Sequence, residues 1–189
     1  MQRKKFTICC DMDDTIEHLI PAWCKFLNNK YGLNVSASDI TEWDICKFFP
    51  TLTKTQVFEP LWIAEFWDTV EPHAFARQGL YRLIEDGHDV YICTNTHYAL
   101  AKEKFDRCLF KHFPFLDRHK LILTCNKQMV KCDILIDDGT HNIIGDYVGI
   151  LMNASHNESF DVTTAPNVIR AYDWLDVYDI INKLSIGEE

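Results

Sequence analysis

Short apolar runs recur along the chain and predict the strands of a sheet. They are continuous rather than alternating, which is typical of strands in a parallel sheet covered on both faces. Five runs are clear and a sixth, at 168–172, is plausible. The five span residues 6–10, 90–93, 121–125, 134–136 and 148–152.

Amphipathic helical segments alternate with these runs. Residues 74–85, 97–110 and 174–184 each place apolar side chains on one helical face. Gly87 is placed to end the first segment, and Lys104 shares the apolar face of the second. Alternation of strand and helix predicts an α/β fold with a doubly wound parallel sheet.

One interval breaks this alternation. Roughly sixty residues separate the first strand from the helix at 74, where a simple crossover needs far fewer. Pro21 can open a helix, and Thr53 and Gln56 have capping-box spacing, so the insertion is predicted to be helical. Its aromatic rings either build the core of a small helical unit or line a pocket that stacks on a flat substrate. The insertion holds Trp23, Trp43, Trp62 and Trp67.

The amino-acid composition and charge of the chain argue against several classes of protein. The 189 residues allow one domain plus a modest insertion, and the net charge of −9 argues against binding a nucleic-acid polymer. No apolar stretch approaches the roughly 20 residues of a membrane span. The basic start and short apolar run do not resemble a secretory signal. The eight cysteines show no CxxC or zinc spacing, so we expect reduced thiols in a cytoplasmic protein.

Polar side chains follow four of the predicted strands. Carboxyl ends of strands in an open α/β sheet meet at one edge, where ligands bind. Crowded carboxylates need a cation, and oxygen-only ligands suit Mg²⁺. Hydroxyl, backbone amide and lysine donors suit phosphate oxygens, so this edge predicts a site for phosphate plus Mg²⁺. The four segments are Asp11-Met12-Asp13-Asp14-Thr15, Thr94-Asn95-Thr96, Asn126-Lys127 and Asp137-Asp138-Gly139.

The first of these segments predicts a catalytic pair. Alternation of side chains at a strand end places Asp11 and Asp13 on the same side. One carboxylate can coordinate the metal and attack phosphorus. The other can protonate the leaving oxygen and then deprotonate the water that hydrolyses the aspartyl-phosphate.

The order of these elements resembles the haloacid dehalogenase (HAD) superfamily of phosphatases. Asp11-x-Asp13, Thr94, Lys127 and Asp137-Asp138 follow one another, each at a strand end. The insertion resembles the first type of cap in that superfamily. The resemblance implies a HAD-like Rossmannoid catalytic core at 1–15 and 74–189, with a small helical cap at 16–73 inserted after the first strand.

A finer resemblance is to the 5'(3')-deoxyribonucleotidases. It is carried by residues 39–44, 66–72 and 132–138, and by Lys127 standing ten residues before Asp137. It covers nearly the whole chain, from residue 6 to about 184, and is loosest in the cap. It implies a Mg²⁺-dependent phosphomonoesterase that hydrolyses nucleoside monophosphates through an aspartyl-phosphate.

The resemblance also implies residue roles for catalysis and metal binding. Asp11 would be the nucleophile and a Mg²⁺ ligand. Asp13 would be the general acid/base and would lend its backbone carbonyl to the metal. Asp138 would be the last side-chain ligand, and Asp137 would support the same metal site.

Further roles concern the substrate. Thr94 and Lys127 would bind the phosphoryl group, with Asn95 near it. Three features depart from the family. Asp14 stands where many members have glycine, and Leu19 stands where animal members carry an aromatic that touches the base. Thr94 is followed by Asn95-Thr96 rather than by a serine and a proline. These departures concern base and sugar selectivity rather than the chemistry.

The cap supplies the remaining candidates. Trp43 and Trp67 are the rings predicted to stack on a base, whereas Trp23 lies on a regular helical stripe and is predicted to pack. His97 and His141 have no partner pattern and, like His156, are interpreted as surface or structural residues.

Two alternatives stay open. The same chemistry could act on another small phosphometabolite such as a sugar phosphate, because the cap sets substrate choice. A receiver-like module that holds phospho-Asp for signalling also clusters acids at a sheet edge. The Asp-x-Asp pair and the long insertion disfavour the receiver. The sequence does not predict an oligomeric state.

Overall fold

Within residues 3–187, which the computed structural model describes, six parallel strands form one sheet. The strands are β1 Thr7–Cys10, β2 Asp89–Thr94, β3 Leu121–Leu123, β4 Ile134–Asp137, β5 Val148–Met152 and β6 Val168–Ala171. Their order across the sheet is β3-β2-β1-β4-β5-β6, so the strand carrying the Asp-x-Asp segment is central. All six predicted strands and the α/β fold are confirmed. The third strand is shorter than predicted because the Thr124 hydroxyl accepts from the Asn126 N–H, which turns the backbone out of the sheet.

The α-helices pack against one face of the sheet and fill the insertion, whereas loops with short 3₁₀ turns cover the other face. The α-helices are α1 Leu19–Tyr31, α2 Lys54–Phe58, α3 Ala76–Glu85, α4 Tyr98–Lys104, α5 Phe110–His112 and α6 Trp174–Ile186. A π-helical turn, Phe105–Leu109, joins α4 to α5, so the predicted helix at 97–110 is interrupted. The 3₁₀ turns are Ala37–Asp39, Ile45–Phe48, Glu59–Trp62, Ala64–Thr69, Lys127–Met129, Ser155–Asn157 and Val162–Thr164. No helix among residues 3–187 is long and apolar enough to cross a membrane.

Close packing joins the last helix to the core. Gly79 on α3 faces Trp174 of α6, and a Cβ at this glycine would meet the indole ring at 2.7 Å. The Trp174 indole N–H donates to the Thr15 carbonyl at 2.9 Å. Helix α6 thereby supports the loop that follows β1.

The insertion between β1 and α3 is helical and has its own aromatic packing. Thr53 and Gln56 form the predicted capping box at the start of α2. Phe49, Phe66 and Trp67 are buried in its interior. Apart from α1, its regular elements are helical turns of three to six residues, so the insertion depends on these large side chains for its core.

A narrow neck connects the insertion to the sheet. The chain leaves through Ile16 and His18 and returns through Glu71 and His73. The His18 N–H donates to the Glu71 carbonyl at 2.8 Å, and the His73 N–H donates to the Ile16 carbonyl at 2.9 Å. The neck begins directly after the Asp11–Thr15 loop, so the insertion stands over the carboxyl ends of the strands.

Candidate active site

The loop after β1 holds the catalytic pair in place. The Asp11 N–H donates to the Ile136 carbonyl of β4 at 2.8 Å, which extends the sheet bonding by one residue. Met12 is fully buried, whereas Asp11 and Asp13 line a cavity at the sheet edge. The predicted placement of both carboxylates on one side is therefore what the structure shows.

Asp14 adopts a backbone conformation that usually favours glycine. Its φ is 51°, in the left-handed region, which aspartate tolerates better than most residues. Its carboxylate accepts from the Ile20 N–H at 3.0 Å, near the start of α1. This bond offsets the backbone strain, so aspartate can stand where a glycine is common.

Lys127 lies between two buried carboxylates. Its Nζ is 2.6 Å from Asp11 Oδ1 and 2.6 Å from Asp137 Oδ2. Burial lowers the pKa of Lys127, but the charges of Asp11 and Asp137 outweigh it and hold that pKa above its ordinary value. The lysine is therefore a fixed cation at the end of β3 and β4.

Three buried carboxylates form a candidate metal site. Asp11, Asp137 and Asp138 each offer one oxygen, and these oxygens lie within 4.8 Å of one another. Burial and the charges of Asp137, Asp138 and Asp13 raise the pKa of Asp11 well above its usual range, with Lys127 opposing them. This repulsion and the oxygen-only donor set fit a hard divalent cation.

Asp137 and Asp138 differ in how their oxygens are already used. Asp137 accepts from Lys127, from the Gly139 N–H at 2.7 Å and from the Asn142 amide at 3.3 Å. Asp138 has two neighbours: its Oδ1 accepts from the Thr15 hydroxyl at 3.3 Å, and its Oδ2 lies 2.9 Å from His156 Nε2. Asp138 therefore has more acceptor capacity free for a cation.

Three histidines that we interpreted from the sequence as surface or structural residues lie at this cavity. They are His97, His141 and His156, and all three line its wall. His156 Nε2 lies 2.9 Å from Asp138 Oδ2, with both side chains almost fully buried. No pattern in the sequence marks this contact, because it depends on the loop after β5 returning to the end of β4.

Strand β2 and the residue after it contribute Thr94 and Asn95 to this site. Thr94 is buried at the end of β2, and Asn95 is exposed and lines the cavity. The Thr94 hydroxyl accepts from the Nζ of Lys104 at 3.2 Å, and the same Nζ lies 2.5 Å from Asp13 Oδ2. Lys104 was not singled out from the sequence, although a lysine on the apolar face of a helix was a usable signal.

Glu17 is a second residue that the sequence analysis missed. It is fully buried beside Asp13, and neither of its carboxyl oxygens has a hydrogen-bond partner among the described residues. Burial, and then the Asp13 charge, raises its pKa well above the usual range. Glu17 is therefore favoured in its neutral form.

The cavity extends from the carboxylates to the insertion. Its volume is about 440 Å³, and Leu19, Trp43 and Trp62 contribute to its wall. Trp43 is 59% exposed and Trp62 58% exposed. Trp43 contacts His141 edge-on at 4.5 Å between ring centroids, and Trp62 lies 5.3 Å from His97. Two exposed aromatic rings of the insertion thus line this cavity.

Trp67 is placed differently from Trp43. It also lines the cavity, but it is only 2% exposed, and its indole N–H donates to the Leu61 carbonyl at 3.2 Å. The Nζ of Lys104 lies 5.3 Å from the Trp67 ring centroid. The Trp67 ring covers the lysine rather than presenting a face to the cavity.

The fold and the arrangement of acids, threonine and lysine at its edge define the protein as a HAD-type phosphatase. Solved structures agree on the fold. A haloacid dehalogenase-like protein from Agrobacterium tumefaciens superposes with a TM-score of 0.64 at 13% identity, covering 98% of this chain and 100% of that one. A magnesium-bound HAD hydrolase from Bacillus subtilis gives 0.60 at 14% identity, covering 95% and 100%.

The chain belongs to the family described as 5' nucleotidase, deoxy (pyrimidine), cytosolic type C protein, whose model matches residues 5–185. A 5'(3')-deoxyribonucleotidase of Clostridium acetobutylicum is 30% identical over 182 residues, which is 95% of this chain and 97% of the relative. A 5'(3')-deoxyribonucleotidase of Bacillus subtilis is 29% identical over 178 residues, 92% and 96% of the two chains. The resemblance seen in the sequence motifs is confirmed, and the protein is a nucleotidase-type phosphatase.

Proposed function

We propose that this phosphatase hydrolyses nucleoside monophosphates at Asp11, with residues 16–73 acting as the cap that selects the substrate. The observation that carries the proposal is one continuous cavity. It joins the carboxylates Asp11 and Asp13 to the exposed indole rings of Trp43 and Trp62. A phosphate at one end and a flat base at the other would fill such a space.

The proposed reaction has two steps at Asp11. In the first, an Asp11 carboxylate oxygen attacks phosphorus and forms an aspartyl-phosphate, while Asp13 gives a proton to the leaving nucleoside oxygen. In the second, Asp13 takes a proton from water, which attacks phosphorus, releases inorganic phosphate and regenerates Asp11. Lys127 and Thr94 would hold the phosphoryl oxygens, with Asn95 beside them.

The carboxylate cluster fits Mg²⁺. We propose that Asp11 and Asp138 supply side-chain oxygens to it, with Asp137 in support and the Asp13 backbone carbonyl as a further ligand. Bound there, Mg²⁺ would offset the repulsion between the carboxylates and the substrate phosphate.

A Mg²⁺ titration distinguishes the two neighbouring acids. Asp138→Asn should raise the Mg²⁺ concentration for half-maximal activity about tenfold or more, and Asp137→Asn should raise it less, because Asp137 already accepts from Lys127, Gly139 and Asn142. Calorimetric Mg²⁺ binding to each variant gives the same comparison without turnover. The reverse order would assign the ligand to Asp137.

We expect the base of the substrate to stack on Trp43. Base stacking contributes roughly 1–3 kcal/mol, so Trp43→Ala should lower kcat/KM for a nucleoside monophosphate by about 5- to 150-fold and leave a sugar phosphate unaffected. Trp67→Ala is the matched control. Because Trp67 is buried, its loss should lower the melting temperature and affect all substrates together. Equal losses with both substrates in a folded Trp43→Ala protein would refute stacking.

A substrate panel tests the function itself. It should contain ribo- and deoxyribonucleoside monophosphates with the phosphate at the 5' or 3' position, together with sugar phosphates, each with Mg²⁺. Nucleotides should be turned over with the highest kcat/KM. A sugar phosphate preferred over every nucleotide would replace the proposed substrate class while retaining the chemistry at Asp11.

We also propose a reducing, cytoplasmic location. All eight cysteines are free thiols, and most of them are buried in the core. Free thiols beside one another, such as Cys9 and Cys132, persist most readily where disulfides do not form.

A further inference from the structure

We propose that Lys104 is a positioning residue that holds the Asp13 carboxylate and the Thr94 hydroxyl in their working orientation. The inference rests on the proposed function, because the orientation of Asp13 matters only if Asp13 transfers protons. Lys104 is the last residue of α4 and is followed directly by the π-helical turn. Such turns are frequent at functional sites, where they redirect side chains.

The burial of Lys104 requires a charged partner. Its side chain is only 1% exposed, and a buried ammonium group is strongly unfavourable unless it is paired. The partner is Asp13, at 2.5 Å from Nζ to Oδ2. The Trp67 ring covers the lysine from the insertion side. Lys104 can therefore stay buried only while it is paired with Asp13, and this pairing fixes the position of the Asp13 carboxylate.

The oxygen that Lys104 contacts is the one that can serve the substrate. Asp13 Oδ1 is buried and has no hydrogen-bond partner among residues 3–187, so Oδ2 is the oxygen available to the cavity. The Asp13 side chain is partly exposed, whereas the lysine lies beneath it. Lys104 thus holds Oδ2 from behind and leaves its cavity side open for a leaving group.

A second contact extends the effect to the phosphate site. The Lys104 Nζ also donates to the Thr94 Oγ1 at 3.2 Å. One ammonium group therefore sets the relative position of the proposed acid/base and of a proposed phosphate ligand. Direct binding of phosphate by Lys104 is a different role, and it predicts a different kinetic result.

The experiment compares Lys104→Met with Lys102→Met on two substrates. Methionine keeps an apolar stem of similar length, and Lys102 is an exposed lysine of the same helix, 77% exposed. The substrates are a nucleoside monophosphate, whose leaving oxygen needs a proton, and p-nitrophenyl phosphate, whose leaving group does not. For Lys104→Met, kcat on the nucleotide should fall about 10- to 100-fold, while KM and inhibition by inorganic phosphate stay unchanged.

The aryl phosphate provides the internal reference. Formation of the phospho-enzyme from p-nitrophenyl phosphate should slow only a few-fold in Lys104→Met, and Lys102→Met should match the wild type on both substrates. Equal slowing of both substrates would mean that the lysine merely supports the fold. A rise in KM and in the inhibition constant for phosphate would mean that it binds phosphate directly. Either result overturns the proposal.

A double variant keeps the test decisive if Lys104→Met alone does not fold. Asp13→Asn with Lys104→Met removes both charges of the pair, so it leaves neither charge unpaired. If the lysine acts through Asp13, the double variant should be as active as Asp13→Asn alone. A further loss would overturn the proposal. A wild-type protein inactive on every phosphomonoester would instead overturn the proposed function.

Discussion

Replacing Asp11 by asparagine should reduce kcat about 10³-fold or more. Asparagine has nearly the same size, but it lacks the charge that attacks phosphorus and is a weaker ligand for a cation. The backbone bond from Asp11 to Ile136 and the pairing of Lys127 with Asp137 are both retained. The variant should therefore fold normally and bind substrate while turning it over extremely slowly.

The melting temperature of Asp11→Asn provides an independent test of the same prediction. Burial and nearby carboxylates raise the pKa of Asp11 well above its usual range, with Lys127 opposing them, so an ionised Asp11 is unfavourable without a cation. A neutral residue relieves that repulsion, and the melting temperature without Mg²⁺ should not fall. Asp133→Asn, before the amino end of β4, is the control and should keep full activity. A tenth of wild-type activity in Asp11→Asn would refute the nucleophile.

Replacing Asp13 by asparagine should reduce turnover of nucleotides by roughly 10²- to 10⁴-fold. The amide keeps the backbone carbonyl proposed for the metal, but it cannot carry a proton. Calorimetric Mg²⁺ binding should therefore persist while both proton-transfer steps slow. Asparagine also leaves Lys104 without its carboxylate partner, so a melting curve must accompany the kinetics.

Single-turnover measurements separate the two uses of Asp13. With p-nitrophenyl phosphate, the phospho-enzyme should form at nearly the wild-type rate and then accumulate, because its hydrolysis still needs a base. With a nucleotide, formation itself should be slow. Equal slowing of formation for both substrates would count against Asp13 as the acid.

The strand-end chemistry could be predicted from the sequence because it depends on topology. Parallel strands bring their carboxyl ends to one edge, so Asp11, Thr94, Lys127 and Asp138 had to converge once the strands were identified. This convergence requires no knowledge of side-chain contacts. The strand order, in which the chain passes from β3 at one edge of the sheet to β4 beside β1, is a finding of the structure and was not predicted from the sequence.

Contacts that depend on the insertion closing over the sheet could not be predicted in this way. Lys104 is buried beneath Trp67, and Glu17 is buried within the neck, where it bridges to Asp13 and Pro72. The sequence alone does not determine which group a lysine on a helical face will contact. Pairing with Asp13 is a result of tertiary packing, and the same holds for His156 beside Asp138.

The tryptophans show a second limit. Trp43, Trp62 and Trp67 lie in or beside 3₁₀ turns, where no sustained period marks a buried face. Trp67 is nevertheless buried, whereas Trp43 and Trp62 are among the most exposed large apolar residues. Sequence reasoning located the aromatic insertion and chose Trp43 and Trp67 as the rings to stack on a base, but it could not tell that Trp67 is buried and that Trp62 is exposed.

The narrow neck has a consequence for how such enzymes diversify. Because Ile16 and His18 are hydrogen-bonded to His73 and Glu71, the chain leaves the sheet and returns to it at a single point. The entropy of closing a loop between fixed ends changes only slowly with loop length. An insertion of another size or sequence can therefore be accommodated at this point while β1 keeps its place in the sheet. A side chain that covers Lys104, as Trp67 does, is the part of the insertion that would have to be retained, because Lys104 contacts Asp13.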